Sequence, residues 1–333
     1  LNIYDISQKA GVSIATVSRV INNSSNVSEK TKQKVLKVMN ESDYTPNVFA
    51  RGLGKKSMQT VGILCMDSSD IYIAQAVYFL ERELRARGYN SILCCTGYQL
   101  KDKQSSLKLL LSKQIDAIIL IGSSYIEEKE SDVAYIKNAA KQLPIILLNG
   151  HLEGENIYSI LCDDYNATKD AVLKLIDNHK KEILFLYRAA TYSGKQKLRG
   201  YKKAHQLRNL PVNEDLICLC DEEALNTTTL FDTLSKKGIR FNGVMAADDQ
   251  LAIKALKYAR KQSILIPQSL EIIGYNNSIL GTCCEPELTS IDNKVEAICT
   301  TATTTLMRVF EAEDSTSKIV LSSTLIERQT TRF

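Results

Sequence analysis

Apolar residues recur at helical spacing through the first forty positions, and short unbroken apolar runs take over from about residue 60. Ile3, Ile6 and Ala10 form one stripe, Val17, Val20 and Ile21 a second, and Val35, Val38 and Met39 a third. Each set steps by three or four residues, which predicts three amphipathic helices sharing one small core. Asn2, with Asp5 three positions on, reads as a capping box; Ser13 and Ser28 read as caps of the second and third helices. Gly11 ends the first helix and provides a tight turn into the second. Two short helices joined in this way are the geometry of a helix-turn-helix, whose second helix enters the DNA major groove. The outward side of that helix carries Ile14, Ala15, Ser18, Arg19 and Asn22.

Beyond Thr60 the pattern changes period. Strand-like runs include 61–66, 91–95, 117–121, 145–148, 182–186, 216–220, 244–246 and 272–275, with helical patterns between them, for instance at 74–87, 167–178, 200–207 and 251–261. Near-continuous apolar strands alternating with helices imply parallel sheets covered on both faces. The strands are too many for one simple sheet, so two doubly wound lobes are expected.

Composition adds mainly exclusions. With 44% hydrophobic and 24% charged residues, the 333-residue chain is of ordinary globular make-up. No apolar run approaches the roughly 20 residues needed to cross a bilayer, and the first residues lack the pattern of a signal peptide. A cytoplasmic protein without membrane partners is the expectation. The nine cysteines include no CxxC pair and the three histidines lie far apart, so free buried thiols are expected rather than a metal site or disulfides. Neither nucleotide-binding glycine motifs nor a GxSxG run occurs, which predicts no enzyme and no cofactor. Charge is more telling. Residues 1–57 hold nine Lys and Arg against four acids, a net +5, while the remainder carries −1. A basic head on a neutral body fits a polyanion-binding module.

Residues 3–22, IYDISQKAGVSIATVSRVIN, and 44–53, YTPNVFARGL, resemble the head and hinge of the LacI/GalR family of transcriptional regulators. The resemblance implies that Ile14, Ala15 and Arg19 read bases. Arg19 can bond a guanine through O6 and N7, and the other two can make apolar contacts. Tyr4, Ser13, Thr16, Ser18 and Asn22 would hold the DNA backbone. Asn47, Ala50, Arg51 and Leu53 would form a minor-groove hinge, with Leu53 as the wedge between base steps. Thr45 and Pro46 suit the start of that hinge helix.

Further stretches resemble the periplasmic-binding-protein-like core of the same family: VGIL at 61–64, LRGYKKA at 198–204, ADDQLA at 247–252, PQSLEIIGYNN at 267–277 and PELTSI at 286–291. The implied division is a head at 1–45, a hinge at 46–57, one lobe at 58–160 with 292–323, and another at 161–291 with 324–333. Ligands of doubly wound sheets bind beyond the carboxyl ends of strands, here between the lobes. Candidates for this effector cleft are Asp67, Tyr72, Asn149, Asp164, Lys197, Asp248 and Asn276. Carboxylates accepting hydroxyl bonds beside an aromatic face suit a sugar-like small molecule. Two positions depart from sugar- and purine-responsive relatives, which commonly carry Arg at Lys197 and Asp at Asn276.

The expected function is a homodimeric, effector-controlled repressor that binds double-stranded operator DNA. The alternative is a global carbon catabolite regulator with phosphorylated HPr as corepressor. Ile14, Ala15, Arg19 and Lys197 resemble that subgroup, but Thr304, within CTTATTT at 299–305, falls where it carries an arginine for HPr.

Overall fold

A computed structural model describes residues 1–21, 24, 26–44, 57–220 and 229–333. The head is three helices, α1 (Ile3–Ala10), α2 (Ile14–Ile21) and α3 (Glu29–Glu41). The Asn2 side chain accepts from the Tyr4 and Asp5 N–H groups while Asp5 accepts from the Asn2 N–H, closing the capping box. Gly11 takes a left-handed φ of 57°, which lets α1 stop and the chain turn at once into α2. Ile6, Ala10, Val17, Val20, Val35 and Met39 are buried against one another.

The body contains two six-stranded sheets. The first runs β11-β5-β4-β3-β1-β2, built from β1 (Thr60–Cys65), β2 (Asn90–Cys95), β3 (Ala117–Ile121), β4 (Ile145–Leu148), β5 (Ile157–Cys162) and β11 (Lys318–Leu321). The second runs β12-β10-β9-β8-β6-β7, from β6 (Ile183–Tyr187), β7 (Ile217–Leu219), β8 (Gly243–Ala246), β9 (Glu271–Tyr275), β10 (Thr289–Asp292) and β12 (Thr324–Ile326). Every pairing is parallel except β10 with β12. The chain passes from the first sheet to the second after β5. It returns after β10 through a long helix at Val295–Phe310, which packs against the helix at Ile71–Ala86, and passes again between β11 and β12.

The helices that frame the cleft are α4 (Ile71–Ala86), α7 (Asp164–Asp177), α8 (Tyr192–Leu207) and α10 (Asp249–Lys261), counting α5 (Leu100–Leu111), α6 (Glu130–Ala140) and α9 (Thr229–Lys236) between them. One apolar cluster, including Ile63, Ile119, Ile160, Val172, Phe185 and Ile273, is continuous from one sheet to the other. Four helices begin earlier than the apolar periodicity predicts, because the side chains of Asp70, Asp163, Thr191 and Asp248 accept backbone N–H bonds at their starts. The expected strand at 216–220 shortens to Ile217–Leu219, since 214–216 form a 3-10 turn.

All nine cysteines are free. Burial pushes the thiols of Cys65, Cys162, Cys220 and Cys299 up to about 12. The expectation of buried thiols fails at Cys95 and Cys283, which are exposed. Cys95 lies on the edge strand β2, which has a neighbouring strand, β1, on one side only. No described helix is long and apolar enough to cross a membrane.

Candidate functional site

The α2 helix has two distinct sides. Val17 and Val20 are buried in the head core, whereas Ile14, Ala15 and Arg19 are exposed together on the outer side. Burying the valines therefore aims the three predicted base-reading residues outward. Tyr4, at 66% exposed, and Ser13 flank this surface, with Thr16 and Ser18 half-buried beside it. The Ser13 hydroxyl caps α2 by accepting the Thr16 N–H at 3.2 Å and lies 2.9 Å from the Thr16 hydroxyl. One hydroxyl of that pair donates to the other, which leaves a single hydroxyl proton to donate outward. Asn22 and the hinge residues Asn47, Ala50, Arg51 and Leu53 lie outside the described residues.

The second site is a cavity of about 220 Å³ between the sheets. Of the seven predicted cleft residues, Tyr72, Asn149, Asp164, Lys197, Asp248 and Asn276 line it. Asp67 does not. Its carboxylate turns back to accept from the Ser69 N–H and hydroxyl, both at 2.8 Å, which holds it below the usual carboxylate range. Asp70, the cap of α4, lines the cavity in its place.

Each wall is fixed by bonds between elements. Asn149, at the end of β4 with a left-handed φ of 55°, donates to the Tyr72 hydroxyl at 2.6 Å and accepts the Cys162 N–H at 3.0 Å. The buried Asp164 accepts from Tyr275 at 2.6 Å and from Ser193 at 2.5 Å, joining α7, β9 and α8. Burial holds the Tyr72 and Tyr275 phenols protonated, well above their ordinary range. Lys197 reaches across Tyr275, 3.6 Å from the ring centroid, and donates to the Ala247 carbonyl at 3.0 Å. Asn276, at φ 92°, accepts from Asn293 at 2.8 Å.

Arg188 was not foreseen. It follows β6 directly and donates to Asp248 at 2.5 and 3.2 Å, and to Gln250 at 2.5 Å. Burial works against its charge, but Asp248 outweighs burial and holds the guanidinium charged. Asp248 also caps α10 through the Leu251 N–H, so both its oxygens are engaged within the protein. Its position one residue past a strand end is the signal that could have found Arg188. Ser123 and Thr191 were likewise missed, and their hydroxyls meet across the lobes at 2.9 Å. Among the described residues no group of His, Cys, Asp and Glu could hold a metal ion.

Comparison with known proteins places both sites in context. Residues 2–47 match the family model described as bacterial regulatory proteins, lacI family, and residues 172–331 match a periplasmic binding protein-like domain. An HTH-type transcriptional regulator of Lachnoclostridium phytofermentans is 56% identical over the whole of both chains. Catabolite control protein A of Priestia megaterium is 31% identical over 100% of this chain and 99% of its own. Among solved structures, the lac repressor dimer bound to operator and the anti-inducer ONPF shares the fold, with a TM-score of 0.89 at 22% identity over 99% of each chain. The transcriptional regulator CelR in complex with cellobiose matches with a TM-score of 0.71 at 21% identity over 99% of each chain.

Proposed function

Since the chain belongs to the lacI family and is a DNA-binding transcriptional regulator with an effector-binding core, we propose that it is a cytoplasmic, homodimeric repressor whose grip on a pseudo-palindromic operator is set by a sugar-like effector in the cleft. The observation that carries the DNA half is the shared outer side of α2, where Ile14, Ala15 and Arg19 stand exposed above a buried valine stripe. In this reading Arg19 bonds a guanine in each half-site, and Tyr4, Ser13, Thr16, Ser18 and Asn22 set the register on phosphates. Asn47, Ala50, Arg51 and Leu53 form the minor-groove hinge at the operator centre.

The effector half rests on the cavity. Its volume of about 220 Å³ matches a monosaccharide better than a larger ligand, since drug-sized pockets start near 300 Å³. Tyr72, Asn149, Asp164, Lys197, Asp248 and Asn276 are its wall. A two-lobed cleft also provides the coupling, because a ligand that favours one lobe arrangement shifts the dimer toward it. We favour this over phosphorylated HPr as corepressor. Thr304 is an exposed hydroxyl on the helix at Val295–Phe310, and the next outward cation, Arg308, is engaged by Glu313 and the Asp314 carbonyl.

Selection of genomic fragments by the purified dimer tests the proposal. Enriched fragments should share a two-fold site with a guanine in each half. Arg19→Ala should relax preference at that base by about 1–3 kcal/mol while leaving other positions unchanged. No enrichment over random duplex at moderate salt would overturn the reading.

A further inference from the structure

Two cysteines meet at the carboxyl ends of β1 and β2. Cys65 and Cys95 are register partners in this parallel pair, so their side chains share one face of the sheet, and their sulfurs stand 3.8 Å apart. The two differ in access: Cys65 is buried, whereas Cys95 is exposed on the edge strand. Burial, with the Cys95 contact second, pushes the Cys65 thiol up to about 12, so on its own this thiol is inert. Neighbouring strands lie about 4.7–4.9 Å apart, inside the roughly 4.4–6.8 Å span between Cα atoms that disulfides use. Closing the gap to a sulfur–sulfur bond of about 2.05 Å therefore calls for side-chain rotation more than backbone movement. The pair also borders the cavity between the sheets. Met66 follows Cys65 directly, Tyr98 follows Cys95 through Thr96 and Gly97, and both Met66 and Tyr98 line the cavity. Backbone bonds tie the same two segments, from the Thr96 N–H to the Cys65 carbonyl at 2.8 Å and from the Gly97 N–H to the Met66 carbonyl at 3.0 Å.

We propose that Cys95 and Cys65 form an oxidative modification site, at which a hydroperoxide converts the exposed thiol to a sulfenic acid and the buried thiol then closes on it as a disulfide. The Cys95 sulfur attacks the peroxide O–O bond and keeps one oxygen; the other leaves and takes up the Cys95 thiol proton. The Cys65 sulfur next attacks the Cys95 sulfur. The S–S bond forms as the S–O bond breaks, and the departing hydroxyl takes the Cys65 proton as water. Two thiols and one hydroperoxide thus give one disulfide, one water and one alcohol, or two waters when the oxidant is hydrogen peroxide. The bond pins the segments that carry Met66 and Tyr98 to the cavity wall, so oxidation tightens one side of the cleft. Because Cys95 remains at the surface, thiols reach the bond and reverse it.

Hydrogen peroxide added to the reduced full-length protein tests this, with alkylation and peptide mapping to follow each thiol and dimedone to trap sulfenic acid. Cys65 should be lost in step with Cys95, as a linked pair of peptides that dithiothreitol separates, while the buried Cys162, Cys220 and Cys299 survive. Cys95→Ser should slow the loss of Cys65 at least about tenfold, because a buried thiol is otherwise out of reach. Cys65→Ser should leave Cys95 as a dimedone adduct with no linked peptide. Deuterium exchange should then show the Thr96 and Gly97 amides opening at least about threefold more slowly in the disulfide form than in the reduced form. Retention of Cys65 while Cys95 is consumed would overturn the assignment. So would a bond from Cys95 to Cys94, a dimer joined covalently through Cys95, or loss of Cys65 that Cys95→Ser does not slow. Unchanged exchange at Thr96 and Gly97 would overturn the link to the cleft. None of these outcomes bears on operator selection, which is measured on the reduced protein.

Discussion

Asp249 sits beneath the cleft as a buried brace, and replacing it separates hydrogen bonding from charge. Its Oδ2 accepts the Ser278 N–H at 2.6 Å and the Ser278 hydroxyl at 2.7 Å, while Oδ1 accepts the Ser290 hydroxyl at 2.6 Å. The carboxylate occupies the space left by Gly274, where an added Cβ would lie 2.3 Å from Oδ1. Asp249→Ala strands one rigid backbone donor at about 1–3 kcal/mol, while the two hydroxyls can turn elsewhere at lower cost, roughly 2–5 kcal/mol in all. At about 2–4 °C per kcal/mol for a lobe of this size, melting should fall by roughly 4–20 °C. Asp249→Asn differs. Its amide oxygen can keep the Ser278 N–H, and its N–H can donate to the Ser290 oxygen with that bond reversed. It also removes a charge that burial disfavours, since desolvation raises Asp249 above the ordinary carboxylate range. The amide variant should therefore stay within about 1 kcal/mol of the parent. Scanning calorimetry of the full-length protein at neutral pH measures both. An amide as damaging as alanine would show that the charge is what matters, and an alanine variant with unchanged melting would show that the brace carries no stability.

Two further outcomes follow from buried contacts. Glu271 is fully buried at the start of β9, bonded by Asn178 through one oxygen and unpartnered at the other among the described residues; burial raises it above its ordinary 4.5. The folded form thus holds the proton longer than the unfolded form, and stability is lost as pH rises through the folded value. Glu271→Gln does not titrate, so its melting temperature should gain on the parent between pH 5 and pH 8, and a gap that shrinks with rising pH would contradict this. Gly200→Ala would bring a Cβ to 2.3 Å from the Tyr165 carbonyl and 3.0 Å from the Lys169 nitrogen, both backbone atoms of α7. The α7 and α8 helices must then separate, at about 1–3 kcal/mol by urea unfolding, and an unchanged midpoint would refute the close approach.

The head was legible almost residue by residue, because its caps and stripes are local: Asn2, Gly11, Ser13 and Ser28 act within four positions of themselves. The alternation of apolar runs and helices in the body was legible for the same reason, but β5, β10, β11 and β12 were not among the runs read as strands. What escaped was set by partners distant in sequence or by polar helix starts. The first turns of α8 carry Ser193 and Lys197 toward the cleft, so no apolar stripe marks them, and the helix was read as beginning at residue 200 instead of Tyr192. Asp67 and Asp70 both follow β1, and only the Ser69 turn decides that the first folds back on itself. Arg188 finds Asp248 sixty positions along the chain, a meeting that requires β6 and β8 to pair.

The two strands at 318–326 occupy one edge of each sheet, β11 beside β5 and β12 beside β10. During synthesis the first lobe cannot complete its sheet until Leu321 has been added, nor the second until Ile326, although most of the first lobe's strands emerge far earlier. Until then the flanks of β5 and β10 present unpaired backbone, which is an invitation to pair with other chains. The two sheets thus gain their last strands one directly after the other, at Leu321 and Ile326.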